Sequence, residues 1–408
     1  MTTSICPAVG EAGLPSIAYD HLDDPDEAHR AIAQARRQGT VAMGPHGPEL
    51  LSYELVRTVL RDPRFTPAIS AVMAAQGVTS GAVWDRATQN ILALNGEQHH
   101  RLRRLVSKTF TPRGAERMRS LIVDVITELV DPLTAAGHCD VVTDIARPYP
   151  TPIICALLGV PRRDWELFSA WTDDIKKLFD WNVAADGPAI TAAWDELDAY
   201  LDKMLAQRRH NLTDDLISDL IRAEDHGDRL GHTELLMLAG TLLAAGTDTT
   251  RNQLASAVQA LSDHPDQWAL LGDHPEFAGA AVHELMRYYP IIFAGARMAI
   301  DDVVLGELMI PAGSMVVPNI AAANRDPAVY DDPDRLDITR EPTTPILSFG
   351  GGAHYCLGSH LARLELCEAL AIITRRMPNP RRTEPARWKQ ITGITGPIAL
   401  PLEFEPGH

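Results

Sequence analysis

The segment 349–358, Phe-Gly-Gly-Gly-Ala-His-Tyr-Cys-Leu-Gly, places one cysteine in a glycine-rich loop directly before an apolar run that reaches residue 373. A thiolate is a soft ligand that suits iron, including the iron of haem. Glycines let a backbone pass close to a large flat ligand, and N–H groups at a helix N-terminus stabilise a thiolate at Cys356. The Gly-Lys-Ser/Thr and Gly-x-Gly-x-x-Gly spacings of phosphate loops are missing from this segment. The loop therefore predicts iron ligation.

A polar motif, Ala-Gly-Thr-Asp-Thr-Thr at 245–250, interrupts the apolar run 233–261. Thr249 is placed to donate to the carbonyl of Ala245, and Gly246 costs about 1 kcal/mol relative to alanine in a helix. A local bulge is therefore expected here. An acid beside a hydroxyl in the middle of an apolar helix is costly unless something uses it, so a functional role is favoured for Asp248 and Thr249.

A third motif, Glu284-Leu-Met-Arg287, puts an acid and a base three residues apart on one helix face. Such pairs usually lie at the surface and contribute little. An apolar stretch follows Tyr288-Tyr289-Pro290, so a buried pair that supports the cysteine loop is expected instead.

The elements that must position these motifs are mostly helices. Helices are expected at 26–37, 53–60, 97–108, from Thr111, and at 144–158, 161–179, 188–208, 214–224, 233–261 and 276–289. A hairpin is expected at 41–52 and short strands within 294–319. The segment 66–93 is apolar but poorly periodic, which is typical of a functional loop. No βαβ alternation is visible, so the expected fold class is mainly α with small β-sheets.

Composition limits the classes of partner. The chain has 408 residues, 45% hydrophobic, with 37 basic and 54 acidic side chains, a net charge of −17. This balance disfavours nucleic acids and anionic membranes as general partners. Five cysteines without a C-x-x-C spacing favour a reducing compartment, and no signal peptide or membrane span is recognisable, so a cytoplasmic location is expected.

The loop pattern Phe-Gly-x-Gly-x-His-x-Cys-x-Gly resembles the haem-binding loop of the cytochrome P450 family. The E-x-x-R pair and Ala-Gly-x-Asp-Thr in the long helix are similar to two further motifs of that family. The resemblance covers nearly the whole chain. It implies one domain over 1–408, with 1–15 as an irregular N-terminal extension and haem b between the long helix and the helix after the cysteine.

The resemblance also assigns roles to residues. It makes Cys356 the iron ligand, Asp248 and Thr249 the oxygen-activating pair, and Arg335 the third partner of Glu284 and Arg287. His99, Arg103, Arg297 and His354 match positions that clamp the haem propionates, although Asn95-Gly-Glu stands where many relatives carry Asp-Pro-Pro. The implied haem contacts are His99, Arg103, Ala245, Gly246, Arg297, Phe349, Gly350, His354 and Gly358. The implied substrate contacts are Val78, Trp84, Phe179, Leu238, Leu242, Ile292, Phe293 and Ile394.

The function implied is that of a haem-thiolate monooxygenase that hydroxylates a lipophilic small molecule, such as a terpenoid, fatty acid, steroid or polyketide. No flavin or nicotinamide domain is visible in the sequence, so two electrons are expected from an external ferredoxin and its NAD(P)H reductase. The expected docking surface is a positive patch of Arg101, Arg104, Lys108, Arg113 and Arg363. Two alternatives remain open: a peroxygenase driven by hydrogen peroxide, against which the Asp–Thr pair argues, and a haem-thiolate sensor without turnover.

Overall fold

The structure is a computed structural model that describes residues 7–225 and 230–406. Helices dominate these residues, as the sequence predicts. They are α1 (Pro25–Arg36), α2 (Tyr53–Arg61), α3 (Ile69–Ala75), α4 (Ala82–Thr88), α5 (Gly96–Val106), α6 (Pro112–Glu116), α7 (Arg119–Thr134), α8 (Pro150–Leu158), α9 (Trp165–Ile175), α10 (Val183–Arg208), α11 (Leu216–Asp225), α12 (His232–Ser262), α13 (Pro265–Asp273), α14 (Ala278–Tyr288), α15 (Ile320–Asn324) and α16 (Ser359–Arg376).

The strands are short. They are β1 (Val41–Gly44), β2 (Gly47–Leu50), β3 (Phe65–Pro67), β4 (His138–Asp140), β5 (Arg297–Ala299), β6 (Val303–Leu305), β7 (Leu308–Ile310), β8 (Met315–Pro318), β9 (Arg381–Arg382), β10 (Arg387–Trp388), β11 (Pro397–Ala399) and β12 (Pro401–Glu403). The largest sheet has the order β1-β2-β8-β5-β3, in which only the β2–β8 pairing is parallel. The fold class is therefore mainly α with small sheets, which confirms the prediction.

Helix α12 organises the molecule. At 1.5 Å per residue its 31 residues span about 46 Å, and most of its side chains are buried. It packs against α8, α9, α10 and α16, so it lies between the helices that precede it and the helix that follows the cysteine loop. No helix within the described residues is long and apolar enough to cross a membrane.

Two expected elements differ in detail. The segment 66–93 contains α3 and α4, two seven-residue helices too short to show a clear period in the sequence. The helix expected at 144–158 is instead a π-helical segment, Val141–Ala146, followed by α8, which begins at Pro150. Proline removes a backbone donor and suits the first turn of a helix, which explains a new start there.

Of the expected extension 1–15, the structure describes residues 7–15. They include a short 3₁₀ turn, Val9–Glu11, and an isolated parallel bridge between Ala8 and Met309 of β7. Val9 is buried in a small apolar cluster with residues of α2 and β8. Residues 1–6 lie outside the described part of the chain.

Candidate functional site

The cysteine loop is a tight turn in which the Cys356 amide donates to the carbonyl oxygen of Phe349 at 2.9 Å. Gly350 and Gly352 have φ values of +71° and +61°, which other residues rarely adopt. A Cβ on Gly352 would lie 2.6 Å from the carbonyl oxygen of Leu60. At this position glycine is therefore required by close packing on α2, and not by the approach of a ligand.

Helix α16 begins at Ser359, so Cys356 precedes its first turn. Burial raises the pKa of the Cys356 thiol, whereas a hydrogen bond from the Gly358 amide and the charge of Arg103 lower it. The guanidinium of Arg363 acts in the same direction from α16, where it lies 4.6 Å above the Phe349 ring. Backbone N–H groups and two arginines thus surround a partly buried sulfur, as a thiolate ligand requires.

Four nitrogen bases, His99, Arg103, Arg297 and His354, gather beside this loop. The rings of His99 and His354 lie 4.3 Å apart between centroids. Burial lowers the pKa of His354 to about 4, with further lowering by His99, Arg297 and Arg103. Burial also lowers the pKa of Arg297 to about 10. The positive charge of the cluster therefore belongs to the two arginines, which are poorly solvated, and His354 is neutral beside them near pH 7.

No carboxylate within the described residues pairs with this cluster. Arg297 donates to the carbonyl of its neighbour Ala296 at 2.9 Å, and Arg103 donates to the Tyr355 carbonyl at 2.6 Å. The buried Nδ1 atom of His99 has no hydrogen-bond partner. Buried polar atoms are nearly always satisfied, so an unpartnered ring nitrogen among cations fits an anionic group such as a pair of carboxylates.

Asn95 shows how the unusual turn before α5 is accommodated. Its side chain does not cap the helix; instead its Oδ1 lies 3.1 Å from Nε2 of His354. The residue that replaces the family's aspartate therefore helps to orient one of the four bases. Sequence reasoning treated Asn95 as a turn residue and missed this contact, because the two residues are 259 positions apart.

The mid-helix motif is open on one side only, at Ala245 and in part at Thr249. Ala245 is exposed although it lies within a largely buried helix. Thr249 donates to the Ala245 carbonyl at 2.8 Å, as expected. The expected bulge is absent, since α12 is continuous through the motif. Gly246 is explained by packing, because a Cβ there would lie 2.8 Å from Cγ1 of Ile154 on α8.

Asp248 is buried and belongs to an ionic network that the sequence analysis did not anticipate. Its Oδ1 accepts from Arg251, one turn later, and from Lys176 at 3.3 Å. Arg251 and Lys176 both also bond Asp173, at 2.8 and 3.0 Å, and Asp173 bonds Arg147 at the surface. The Oδ2 atom of Asp248 has no partner. The spacing of Arg251 was visible in the sequence; the position of Lys176 depends on tertiary packing.

Glu365 is a second buried acid, and no motif in the chain points to it. It lies on α16 opposite Thr250 of α12 and is 1% exposed. Burial raises its pKa to about 8, although a hydrogen bond with the Thr250 side chain acts the other way. Its Oε2 has no partner. Only the packing of α16 on α12 brings this carboxyl to Thr250, the residue that follows the Asp248–Thr249 pair.

The Glu284–Arg287 pair is fully buried and bidentate, with Nε–Oε2 and Nη2–Oε1 distances of 2.7 and 2.8 Å. The expected third partner was wrong. Arg335 contributes its backbone carbonyl to Arg287, while its side chain is 65% exposed and faces Asp337. The side chain that reaches Glu284 is that of Arg340, at 3.2 Å. The polypeptide turns between 335 and 340, which places the later arginine inward.

Seven of the eight expected substrate residues fall into two groups by exposure. Val78, Trp84, Phe179, Ile292 and Ile394 are partly exposed, and Leu238 and Leu242 line the buried flank of α12. The eighth, Phe293, was wrongly expected to contact the substrate.

The Phe293 ring is 2% exposed and packs in a separate core, 5.0 Å from His29 and 6.2 Å from Tyr19 between ring centroids. Its neighbour Ile292 is partly exposed. Phe293 is therefore a core residue.

The five residues of the expected docking patch differ in their exposure and in their contacts. Arg104, Lys108 and Arg113 are exposed, and among the described residues none of them has an ion-pair partner. Arg101 is paired with Glu234, and Arg363 lies over Phe349. The exposed part of the patch is therefore on α5, α6 and the turn between them.

Comparison with known proteins agrees with these motifs. The family model for cytochrome P450 matches residues 49–270 and 274–377. The chain is 38% identical over 367 residues to mycinamicin IV hydroxylase/epoxidase of Micromonospora griseorubida, covering 88% of this chain and 90% of the relative. It is 33% identical over 359 residues to the polyketide biosynthesis cytochrome P450 PksS of Bacillus subtilis, covering 86% and 87%. The crystal structure of CalO2 superposes with a TM-score of 0.88 at 32% identity, covering 94% and 98% of the two chains.

The chain belongs to the cytochrome P450 family. It is accordingly a haem-thiolate monooxygenase whose cofactor is haem b. The residues present fit that cofactor: a partly buried cysteine among N–H donors, four bases without a carboxylate partner, and an exposed alanine in the facing helix. Being an enzyme, it is not the sensor without turnover.

Proposed function

We propose that this protein hydroxylates a lipophilic, polyketide-like small molecule with dioxygen and two electrons from an external ferredoxin and NAD(P)H reductase. The observation that carries the proposal is the group of four bases beside the Cys356 loop, which has no carboxylate partner among the described residues and includes the buried, unpartnered Nδ1 of His99. The bases fit two propionates, and Cys356 fits the iron. When bound, haem supplies the chemistry that cleaves dioxygen and oxidises an unactivated C–H bond.

Thr249 and Asp248 are the side chains that would bind and transfer protons in this reaction. The Thr249 hydroxyl is held by the Ala245 carbonyl, so its oxygen lone pairs remain directed toward the open space. Asp248 lies one residue earlier, with one carboxylate oxygen fixed by two cations and the other unpartnered. The network through Arg251 and Asp173 connects Asp248 to Arg147, which is half exposed, and so fixes the carboxylate from the surface side of the motif.

The substrate class rests on the apolar residues that adjoin this space and on the relatives. Val78, Trp84, Phe179 and Ile394 present apolar side chains that are partly exposed. Ligand pockets of this kind take mostly apolar molecules with few polar anchors. One relative is named for mycinamicin IV and another for polyketide biosynthesis, which favours the polyketide among the classes expected from the sequence.

The redox partner is proposed from charge. Arg104, Lys108 and Arg113 form an exposed positive surface on α5, α6 and the turn between them, and α5 also carries Arg103, one of the four bases beside the cysteine loop. In a chain of net charge −17 such a surface would steer an acidic ferredoxin, with a strong dependence on salt. Because this reaction draws its electrons from NAD(P)H, a cytoplasmic location is part of the same proposal.

The test combines spectroscopy and turnover. The reduced carbon monoxide complex should show the red-shifted Soret band of thiolate ligation, and Cys356→His should lose it. Cys367→Ser is the matched control, because Cys367 is a free cysteine on α16 and should leave the band unchanged. Product formation from a panel of macrolides should require NADPH, ferredoxin and reductase. Turnover with hydrogen peroxide alone, at the same rate, would favour the peroxygenase, and retention of the band in Cys356→His would exclude Cys356 as the ligand.

A further inference from the structure

Helix α4 lies beside the proposed substrate space but has little stability of its own. It is seven residues long, follows Gly81 at a φ of +94° and has no side-chain cap at its N-terminus. Isolated helices shorter than about 12–15 residues are marginal in water. Tertiary contacts must therefore determine where α4 lies, together with Val83 and Trp84, which it carries.

Arg86, the only basic residue of α4, supplies the strongest of these contacts. Its guanidinium makes a two-nitrogen contact with Asp198 of α10, in which Nη2 lies 2.8 Å from Oδ1. The same group lies over the Trp194 ring at 5.2 Å from the centroid. The side chains of Arg86 and Asp198 are only 17% and 24% exposed. Partial burial and planar geometry make such a contact stronger than an ordinary surface ion pair.

The third helix at this junction is α12. A Cβ on Gly240 would lie 3.2 Å from Cδ2 of Leu197 and 3.8 Å from Nη2 of Arg86. Glycine at this position leaves room for the guanidinium between α4, α10 and α12. The contact is therefore accommodated by the long helix that carries the Asp248–Thr249 motif.

Two neutral contacts flank Arg86. The Gln76 side chain accepts from the amide of Val183, in the first turn of α10, at 2.9 Å. The Asn90 side chain donates to Thr241 of α12 at 2.6 Å. Thr241 precedes Thr249 by eight residues, about 12 Å along the helix. The segment containing α4 is thus attached close to the reactive motif, with Arg86 at its centre.

A groove of about 540 Å³ runs between α4 and α10 and opens to solvent. Val78 and Val83 line one side, and Val183, Gly187 and Thr191 line the other. Separation of α4 from α10 would widen this groove, and their attachment keeps it narrow. The Arg86–Asp198 contact joins the two helices that form the walls of this groove. It is therefore placed to control how large a molecule can pass between α4 and α10.

We propose that the Arg86–Asp198–Trp194 contact, here called the clasp, holds α4 against α10 and limits the exchange of bulky ligands with the haem space. Arg86 is a positioning residue in this role, since it acts through α4. The inference rests on the proposed function in one respect: the ligands that it controls are those that reach the haem. Lysine should replace Arg86 only in part, because an ammonium neither binds a carboxylate through two nitrogens nor stacks on the indole in the same way.

The experiment uses two iron ligands of different size, imidazole and clotrimazole, which both bind through an imidazole nitrogen. Their association and dissociation are followed by stopped-flow absorbance of the haem. In Arg86→Ala both rates for clotrimazole should rise about tenfold, and those for imidazole should stay within about twofold, because small molecules pass without movement of α4. Asp198→Ala should have the same effect, and the double variant should exceed neither single variant, since the two residues act as one unit.

Arg57→Ala is the matched control, because Arg57 forms an exposed pair with Glu54 on α2; its rates should equal those of the parent. Should Arg86→Ala fail to fold, Arg86→Lys and Asp198→Asn provide the same comparison. Unchanged clotrimazole rates in the clasp variants would overturn the proposal, and so would equal acceleration of both ligands. Failure of the proposed function looks different: the parent would then form no product from the macrolide panel with NADPH, ferredoxin and reductase, while its imidazole and clotrimazole rates could still be measured and compared.

Discussion

Helices α12 and α14 each carry an acid followed three residues later by an arginine. The two pairs differ in how many of their hydrogen-bonding atoms have a partner. In Glu284–Arg287 all five donor bonds of the guanidinium are used, two to the acid and three to the carbonyls of Asn324, Pro333 and Arg335. In Asp248–Arg251 one nitrogen serves two carboxylates, and Oδ2 of Asp248 is left without a partner.

The difference indicates different roles. A saturated pair fixes three chain segments, and any movement would leave a charge buried without compensation. An incomplete pair beside an open space can exchange partners or protons, because its acid is not bonded on both oxygens. The comparison also shows that i,i+3 spacing alone does not distinguish a structural pair from a functional one. The number of polar atoms in the pair that have a hydrogen-bond partner does distinguish them.

The largest expected effect is on the saturated pair. Glu284→Ala should lower the free energy of unfolding by roughly 3–5 kcal/mol, because it leaves Arg287 buried and unpaired. The measurement is urea unfolding together with the haem content of the purified protein. Arg335→Ala is the control and should be close to neutral, since that side chain is exposed, whereas Arg340→Ala should cost about 1 kcal/mol. A stable, haem-replete Glu284→Ala variant would remove the distinction between the two pairs.

Asp248→Asn should lower activity strongly while changing the stability of the fold only slightly. We expect turnover to fall about a hundredfold, because an amide cannot relay protons by ionising. The free energy of unfolding should change by less than about 1.5 kcal/mol, since Asp173 still pairs with Arg251 and Lys176. Steady-state product formation and urea unfolding measure the two quantities on one preparation. A large fall in the free energy of unfolding, with turnover per folded molecule unchanged, would mean that Asp248 stabilises the fold and does not act in the reaction.

Thr249→Ala should alter how electrons are used rather than how fast they are consumed. Removing the hydroxyl should leave NADPH consumption within about twofold of the parent and divert much of it to hydrogen peroxide. Product and peroxide are assayed per NADPH. Thr247→Ala is the matched control, because Thr247 also bonds a carbonyl four residues back, that of Leu243 at 2.9 Å, but is buried. Equal coupling in both variants would mean that the motif is only structural.

The last expected effect is a dependence of stability on pH at Glu365, with no loss at the pH where the parent and variant profiles start. Its carboxyl has a pKa of about 8 in the fold against 4.5 as its ordinary value. Between these values the folded protein retains a proton that the unfolded chain has lost, so stability falls as pH rises, by up to about 1.4 kcal/mol per unit. Glu365→Gln should lack this slope. Urea midpoints of parent and variant should therefore diverge from about pH 5 to 8 and run parallel above that; parallel profiles throughout would show that Glu365 does not retain the proton.

The sequence by itself determined the features whose chemistry is contiguous. The cysteine loop, the Asp248–Thr249 motif and the Glu284–Arg287 spacing each lie within ten residues of chain, and backbone geometry alone relates their members. Helix content was predictable for the same reason, because periodicity and capping are local. The Thr249–Ala245 bond is a direct consequence of one helical turn.

Tertiary structure decided everything that joins distant segments. Arg340 replaces Arg335 beside Glu284 because a turn of the chain directs the later side chain inward, and Phe293 belongs to the core because its ring packs against His29 of α1. Asn95 meets His354 across 259 residues, Arg86 meets Asp198 across 112, and Glu365 approaches Thr250 only where α16 packs on α12. Burial, which sets the charge state of such groups, is a property of the packed molecule and has no local signature in the chain.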